Sequence, residues 1–135
     1  MKNIPNLIKK AREAELCAYS PYSKFSVGAA LLTKEGNIFT GSNVENSSFG
    51  LTVCAERIAV FKAVTSGEKE FDTILISASG LGYPYPCGAC LQVLAEFSPE
   101  MTIIVIDEQE KIRKFRLKEM LPQIFLLNQQ EGDIV

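Results

Sequence analysis

The sequence predicts an α/β protein, a three-layer α/β/α sandwich in which helices cover both faces of a mixed central sheet of about five strands. Three observations carry that prediction. Apolar runs of strand length and segments of helical period follow one another in the order ββαβαβ, behind an opening helix. Turn residues separate nearly all of these segments. No repeat, low-complexity segment or linker interrupts the 135 residues, of which 47% are hydrophobic, so residues 1–135 are expected to form one domain. The order of the strands across the sheet does not follow from this pattern.

Each element has its own signal. Ile4, Leu7, Ile8, Ala11, Ala14 and Ala18 recur at helical spacing, with Asn3 placed to cap the first turn and Pro5 tolerated inside it. The stretch SPYS, Ser20 to Ser23, ends that helix. Phe25 to Thr33 reads as a strand, KEGN as a turn, and Ile38 to Glu45 as the second strand of a hairpin. Helical character returns in VCAERIAVFKAVT, Val53 to Thr65, and stops at Ser66 and Gly67. TILISAS, Thr73 to Ser79, is the near-continuous apolar run of a buried strand. The loop GLGYPYP leads into a helix from Cys87 to Phe97. MTIIVID and Ile112 to Leu117 read as two further strands, and LKEMLP as a last short helix.

Composition excludes several function classes. Histidine is absent, which removes Ser-His-Asp and Cys-His nucleophiles and every histidine zinc site. Proton transfer must fall to a carboxylate, tyrosine, lysine or thiol. Four cysteines are too few for a disulfide scaffold, and no amino-terminal run has signal-peptide character. The expected setting is a reducing cytoplasm, where cysteines stay thiols or bind metal. No apolar stretch is long enough to cross a bilayer, so no membrane partner is expected. Fourteen basic against sixteen acidic residues leave a net charge of −2 with no dense basic run, which argues against polymeric nucleic acid.

The stretch PCGAC, Pro86 to Cys90, admits three chemistries: a redox pair, half of a closed structural zinc site, or part of a zinc site that keeps one position open. Cys87 opens a helix, and Cys90 falls about one turn later on the same side. Cys54 stands at the start of the other central helix, and the two helix amino termini are placed to converge at one edge of the sheet. Partial positive charge there favours thiolates. Three thiolates would hold one zinc ion with its fourth position free. Arg57, three positions beyond Cys54, is placed to donate hydrogen bonds to sulfur and offset the negative charge. Glu56, in the first turn of the same helix, is placed to take a proton from a water activated at the open position and return it to a leaving amine. A redox reading of Cys87 and Cys90 leaves Cys54 and Glu56 unexplained. A closed four-sulfur site would recruit Cys17, which reads instead as a small apolar core residue of the first helix.

CAER followed by PCGAC resembles the zinc-dependent cytidine deaminases, in the small homotetrameric branch where three cysteines bind the metal. YSPYSKFSVGAALLT, Tyr19 to Thr33, GSNVEN, Gly41 to Asn46, and EMLPQIF, Glu119 to Phe125, extend the resemblance to nearly the whole chain up to Phe125. It implies zinc on Cys54, Cys87 and Cys90, Glu56 as the proton shuttle, and a nucleoside substrate. It places Phe25 beside the pyrimidine, Asn43 and Glu45 on the sugar hydroxyl, and the backbone of Val44 and Ala55 along the same pocket. Asn43 and Glu45, two apart on a strand, would point to one side, an amide and a carboxylate offering donor and acceptor. Phe125 is implied to reach over the base in a neighbouring subunit, so that active sites form between the chains of a homotetramer.

The resemblance implies hydrolysis of cytidine and 2'-deoxycytidine to the uracil nucleosides and ammonia, in pyrimidine salvage. A deaminase of a cytosine-containing antibiotic of the blasticidin S type is the nearest enzyme alternative. Outside enzymes the alternative is a zinc-stabilised binding module. Tyr85 departs from the family, whose members often carry a small polar residue there, and Tyr83 and Tyr85 read as pocket-rim or subunit-contact residues. The tail LLNQQEGDIV after Phe125 carries no usable motif.

Overall fold

A computed structural model describes residues 2–127. Helix α1 (Ile4–Glu15) is followed by the strands β1 (Val27–Thr33) and β2 (Ile38–Ser42), then α2 (Ala55–Thr65), β3 (Phe71–Ala78), α3 (Gly88–Phe97), β4 (Thr102–Ile106), β5 (Ile112–Arg116) and the single turn α4 (Leu117–Met120). One five-stranded sheet runs in the order β2-β1-β3-β4-β5. Only β3 and β4 are parallel, with Thr73 opposite Thr102 and Ile76 opposite Val105; α3 makes the crossover between them. β1 pairs antiparallel with both β2 and β3, and β5 with β4. The expected mixed sandwich is present.

Alternation along the strands sorts the core into two layers. Ala30, Leu32, Leu75, Ile104 and Ile106 face α1, where they meet Leu7 and Ala11. Ala29, Leu31, Ile74, Ile76, Ile103 and Val105 point the other way, onto α2 and α3. Ala55, Ala59 and Ala63 form a stripe of small buried side chains along α2, which lets that helix lie close on β2. A Cβ on Gly41 would stand 2.2 Å from the carbonyl oxygen of Ala55, so only glycine fits beneath the first turn of α2.

Three boundaries differ from expectation. Asn3 caps α1 as the sequence suggests, accepting from the Asn6 N–H at 3.1 Å, but the helix ends at Glu15. Leu16, Cys17 and Ala18 make i→i−3 bonds, and Tyr19 then pairs with Asn43 and Glu45. That early exit leaves Cys17 exposed, which corrects its reading as a core residue. β1 begins at Val27 because the side chain of Asn43 takes the Val27 N–H and the Phe25 carbonyl. β2 ends at Ser42 because Val44 leaves the ladder to pair with Val53. A turn of 3-10 helix, Phe49–Leu51, was not expected. The tail from residue 128 onward lies outside the described residues.

The loop after the carboxyl end of β3 leads to Cys87, and it runs beside the turn after the carboxyl end of β4. Arg12 of α1 ties both ends together, donating to the Ala78 carbonyl at 2.9 Å and the Asp107 carbonyl at 3.1 Å while paired with Glu15 at 2.8 Å. Glu108 accepts from the Gly82 N–H at 3.1 Å, holding the loop that precedes α3.

Candidate active site

Cys54 and Cys87 are the amino-terminal caps of α2 and α3, both extended in backbone, and neither thiol caps its own helix. The sulfurs are left free to face one another. Cys90, in the first turn of α3, is buried beside them. All three sulfurs lie within 4.8 Å of one another, with those of Cys87 and Cys90 3.6 Å apart. A tetrahedral zinc ion with bonds of about 2.3 Å needs sulfurs about 3.8 Å apart, so the donor set fits that metal. Among the described residues no other group of metal-ligating side chains converges in this way.

Charge is managed by Arg57, which donates through Nη2 to the Cys54 sulfur at 3.5 Å. The Cys54 thiol is held down to about 5, first by the hydrogen bond from the Cys90 thiol and then by Arg57. Cys90, as the donor in that bond and a buried group, is pushed up. Arg57 in turn is raised, chiefly by its bond to Cys54. The Arg57 Nε is buried with no hydrogen-bond partner. A net negative metal–sulfur centre is the chemistry such a guanidinium suits.

Glu56 is only 5% exposed. Burial pushes its carboxyl up to about 7, and the negative charge of Cys54 adds to the shift. It is placed to exchange a proton near neutral pH.

A cavity of about 270 Å³ opens over this cluster, lined by Cys54, Cys87, Glu56 and Ala55 at its floor and by Phe25, Asn43 and Glu45 on its side. The Phe25 ring lies on Gly80, where a Cβ would stand 2.5 Å from its Cε1. Asn43 is buried, with its Oδ1 accepting from Val27 N–H at 2.8 Å and its Nδ2 donating to the Phe25 carbonyl at 2.9 Å. One amide hydrogen and one lone pair remain free of these bonds. Glu45 accepts from the N–H groups of Tyr22 at 3.0 Å and Ser23 at 3.2 Å, and from the Ser23 hydroxyl.

Two expected lining residues lie elsewhere. Val44 is outside the cavity wall, its N–H and carbonyl both bonded to Val53 at 3.0 Å. Phe125 is 57% exposed, its backbone pinned by Gln92 of α3 through bonds of 2.7 and 3.2 Å. Its ring is not part of this chain's own cavity. Ser23, Val27, Thr52 and Pro84 line the cavity without having been singled out from sequence. Ser23 carried a signal, since SPYS marks the turn that Glu45 holds. Thr52 carried none. A second cavity of about 320 Å³, lined by Lys34, Glu70, Asp72 and Glu100, lies at the opposite ends of β3 and β4.

Comparison with known proteins points the same way. Residues 1–106 match the family described as "Cytidine and deoxycytidylate deaminase zinc-binding region". The chain is 46% identical over 120 residues to the cytidine deaminase of Halalkalibacterium halodurans, covering 88% of this chain and 91% of that protein. The crystal structure of cytidine deaminase from Burkholderia pseudomallei superimposes with a TM-score of 0.87 at 41% identity, covering 92% of this chain and all of that one. At lower identity, 31%, the chain also matches the blasticidin-S deaminase of Bacillus cereus over 90% of its length and 91% of that protein. Three convergent sulfurs, a buried glutamate at their side and matches that span most of the chain all lead to one assignment: the chain belongs to the cytidine and deoxycytidylate deaminases, a family of zinc-binding hydrolases.

Proposed function

We propose that this chain hydrolyses cytidine and 2'-deoxycytidine to uridine and 2'-deoxyuridine with release of ammonia, as a step of pyrimidine salvage. The observation that carries the reading is Glu56, buried beside Cys54, Cys87 and Cys90 at the floor of a cavity of nucleoside scale. Residues 1–135 act as a single catalytic domain. The use of cysteines as thiol ligands suits a reducing cytoplasm, and no helix among the described residues is long and apolar enough to cross a membrane.

Cys54, Cys87 and Cys90 would hold zinc, which when bound supplies the Lewis acidity that makes water nucleophilic near neutral pH. Glu56 does the proton work: its Oε takes one proton of the attacking water and passes it to the ring nitrogen, then takes the second from the hydroxyl now on C4 and delivers it to the exocyclic amine. The C4–O bond forms, the C4–N bond breaks, and ammonia leaves. Arg57 steadies the sulfurs against their own negative charge. Phe25 packs beside the pyrimidine and Ala55 lies near the base. Asn43 and Glu45 engage the sugar hydroxyl through the capacity their internal bonds leave free. Val44 supports that wall through its backbone pairing with Val53.

The active form is a homotetramer in which Phe125 completes the site of a neighbour. Exposed apolar side chains beside the cavity support association, Phe49, Leu51 and Val44 among them, with the Tyr22 and Phe49 rings 5.8 Å apart.

The test is ammonia release from cytidine by the zinc-loaded protein, with Glu56→Gln in parallel. Turnover should fall by roughly 10³-fold in the variant while zinc content stays the same. An active, zinc-loaded variant removes the glutamate from the mechanism. Faster turnover of blasticidin S than of cytidine would transfer the assignment to the antibiotic.

A further inference from the structure

β5 is one of the two edge strands of the sheet, and the two sides of its ladder meet different neighbours. Arg113 lies opposite Val105 and Phe115 opposite Ile103, so both share the face that β4 turns toward α2 and α3. Over these two residues the loop that follows β3 folds back. The Tyr85 ring meets Phe115 edge-on, centroids 6.0 Å apart at 67°, and the Tyr83 ring lies 6.0 Å from that of Tyr85. The Arg113 guanidinium sits 4.2 Å over the Tyr83 ring, and its Nη1 donates to the Tyr85 hydroxyl.

Tyr85 is therefore held from behind on two sides. Pro84 and Pro86 flank it and fix the backbone on both sides. The Tyr85 N–H is tied to the Tyr83 carbonyl at 3.0 Å. Its hydroxyl, the one polar atom of the side chain, is already engaged by Arg113. Yet Tyr85 lines the same cavity as Cys54, Glu56 and Cys87. It stands two residues before Cys87, at the metal end of that cavity, away from the sugar-binding role proposed for Asn43 and Glu45. With a nucleoside seated as proposed above, a braced aromatic wall at that end would meet the edge of the base where the chemistry occurs.

We infer that Tyr85 is a specificity-determining residue that limits the size of substituent a cytosine may carry at its ring edge, and that Arg113 is the positioning residue that keeps it there. The inference rests on the nucleoside reading above. A rigid apolar wall discriminates by volume: one added methyl group that does not fit is worth about tenfold or more in kcat/KM. A wall that yields would lose most of that factor.

The experiment compares cytidine, 5-methylcytidine and N4-methylcytidine as substrates for the zinc-loaded wild type, Tyr85→Ser, Tyr85→Phe and Arg113→Ala, following formation of uridine from the first and third, with ammonia and methylamine as leaving groups, and of 5-methyluridine from the second. The wild type should prefer cytidine to at least one methylated base by more than tenfold in kcat/KM. Tyr85→Ser should lower that preference about tenfold. Arg113→Ala and Tyr85→Phe, which loosen the ring without removing it, should fall in between. An equal preference in all four proteins, or a wild type indifferent to both methyl groups, overturns the inference while leaving the nucleoside reading intact. Absence of cytidine turnover by the wild type rejects the nucleoside reading itself. If Tyr85→Ser does not fold, the other two variants decide the matter by the same ratio.

Discussion

Glu56 and Arg57 are neighbours in the chain that act on the sulfurs in opposite electrostatic senses. The guanidinium favours thiolate at Cys54, whereas the carboxyl beside it is pushed up first by its burial and then by that negative charge. Arg57→Ala should therefore weaken zinc binding by roughly 10- to 100-fold, read by competition with a chelator of known affinity. Glu45 makes a different prediction. Its carboxyl lies below its ordinary range, first because the Ser23 hydroxyl donates to it. A group depressed in this way contributes stability above its unfolded pKa and loses it as pH falls through the folded value. The Ser20–Lys24 turn, where Lys24 sits at φ 60°, should be firm at neutral pH and loosen on acidification below the ordinary glutamate range. Amide exchange at Tyr22 and Ser23 should show that response, and Glu45→Gln should abolish it. The convergence of Cys54, Cys87 and Cys90 was legible because helix starts fix where the first-turn side chains stand. Thr52 and Pro84 were not, because they reach the cavity through irregular chain whose path no periodicity encodes.

At the scale of elements, the site depends on how near α2 lies to the sheet. Gly41 and the Ala55, Ala59 and Ala63 stripe set that distance. Gly41→Ala would drive a methyl group into the Ala55 carbonyl, at the turn that carries Cys54 and Glu56. It should cost about 3 kcal/mol in denaturant unfolding and reduce zinc content. Gly50→Ala, where a Cβ meets nothing within 4 Å, is the control and should stay within about 0.5 kcal/mol of the parent. The element types and their order followed from apolar period and turn residues. Their ends did not, because tertiary partners decide them. Asn43 takes the backbone groups that would have begun β1 earlier, and Tyr19 leaves α1 to pair beside Asn43 and Glu45. Cys17 was misread for the same reason: an extra helical turn would have buried it, and that turn does not form.

At the scale of the molecule, the proposed assembly places Phe125 where its own chain cannot use it. Its backbone is fixed by Gln92 while its ring stays exposed. Phe125→Ala should lower kcat/KM for cytidine about tenfold while leaving the unfolding of the protomer within about 0.5 kcal/mol. Sedimentation equilibrium should return four copies; a monomer with full activity would reject the shared site. Cys54 precedes β3 in the chain, and Cys87 and Cys90 follow it, so one metal ion held by all three closes a ring of about 33 residues that contains α2 and β3. In polymer terms the ion is a reversible cross-link. A ring of that size denies the unfolded chain freedom worth about 4 kcal/mol. A disulfide would be dismantled by thiol reductants, but this clasp is opened by acid or chelators instead. Thermal resistance therefore becomes a function of free zinc concentration as much as of the apolar layers on either side of the sheet.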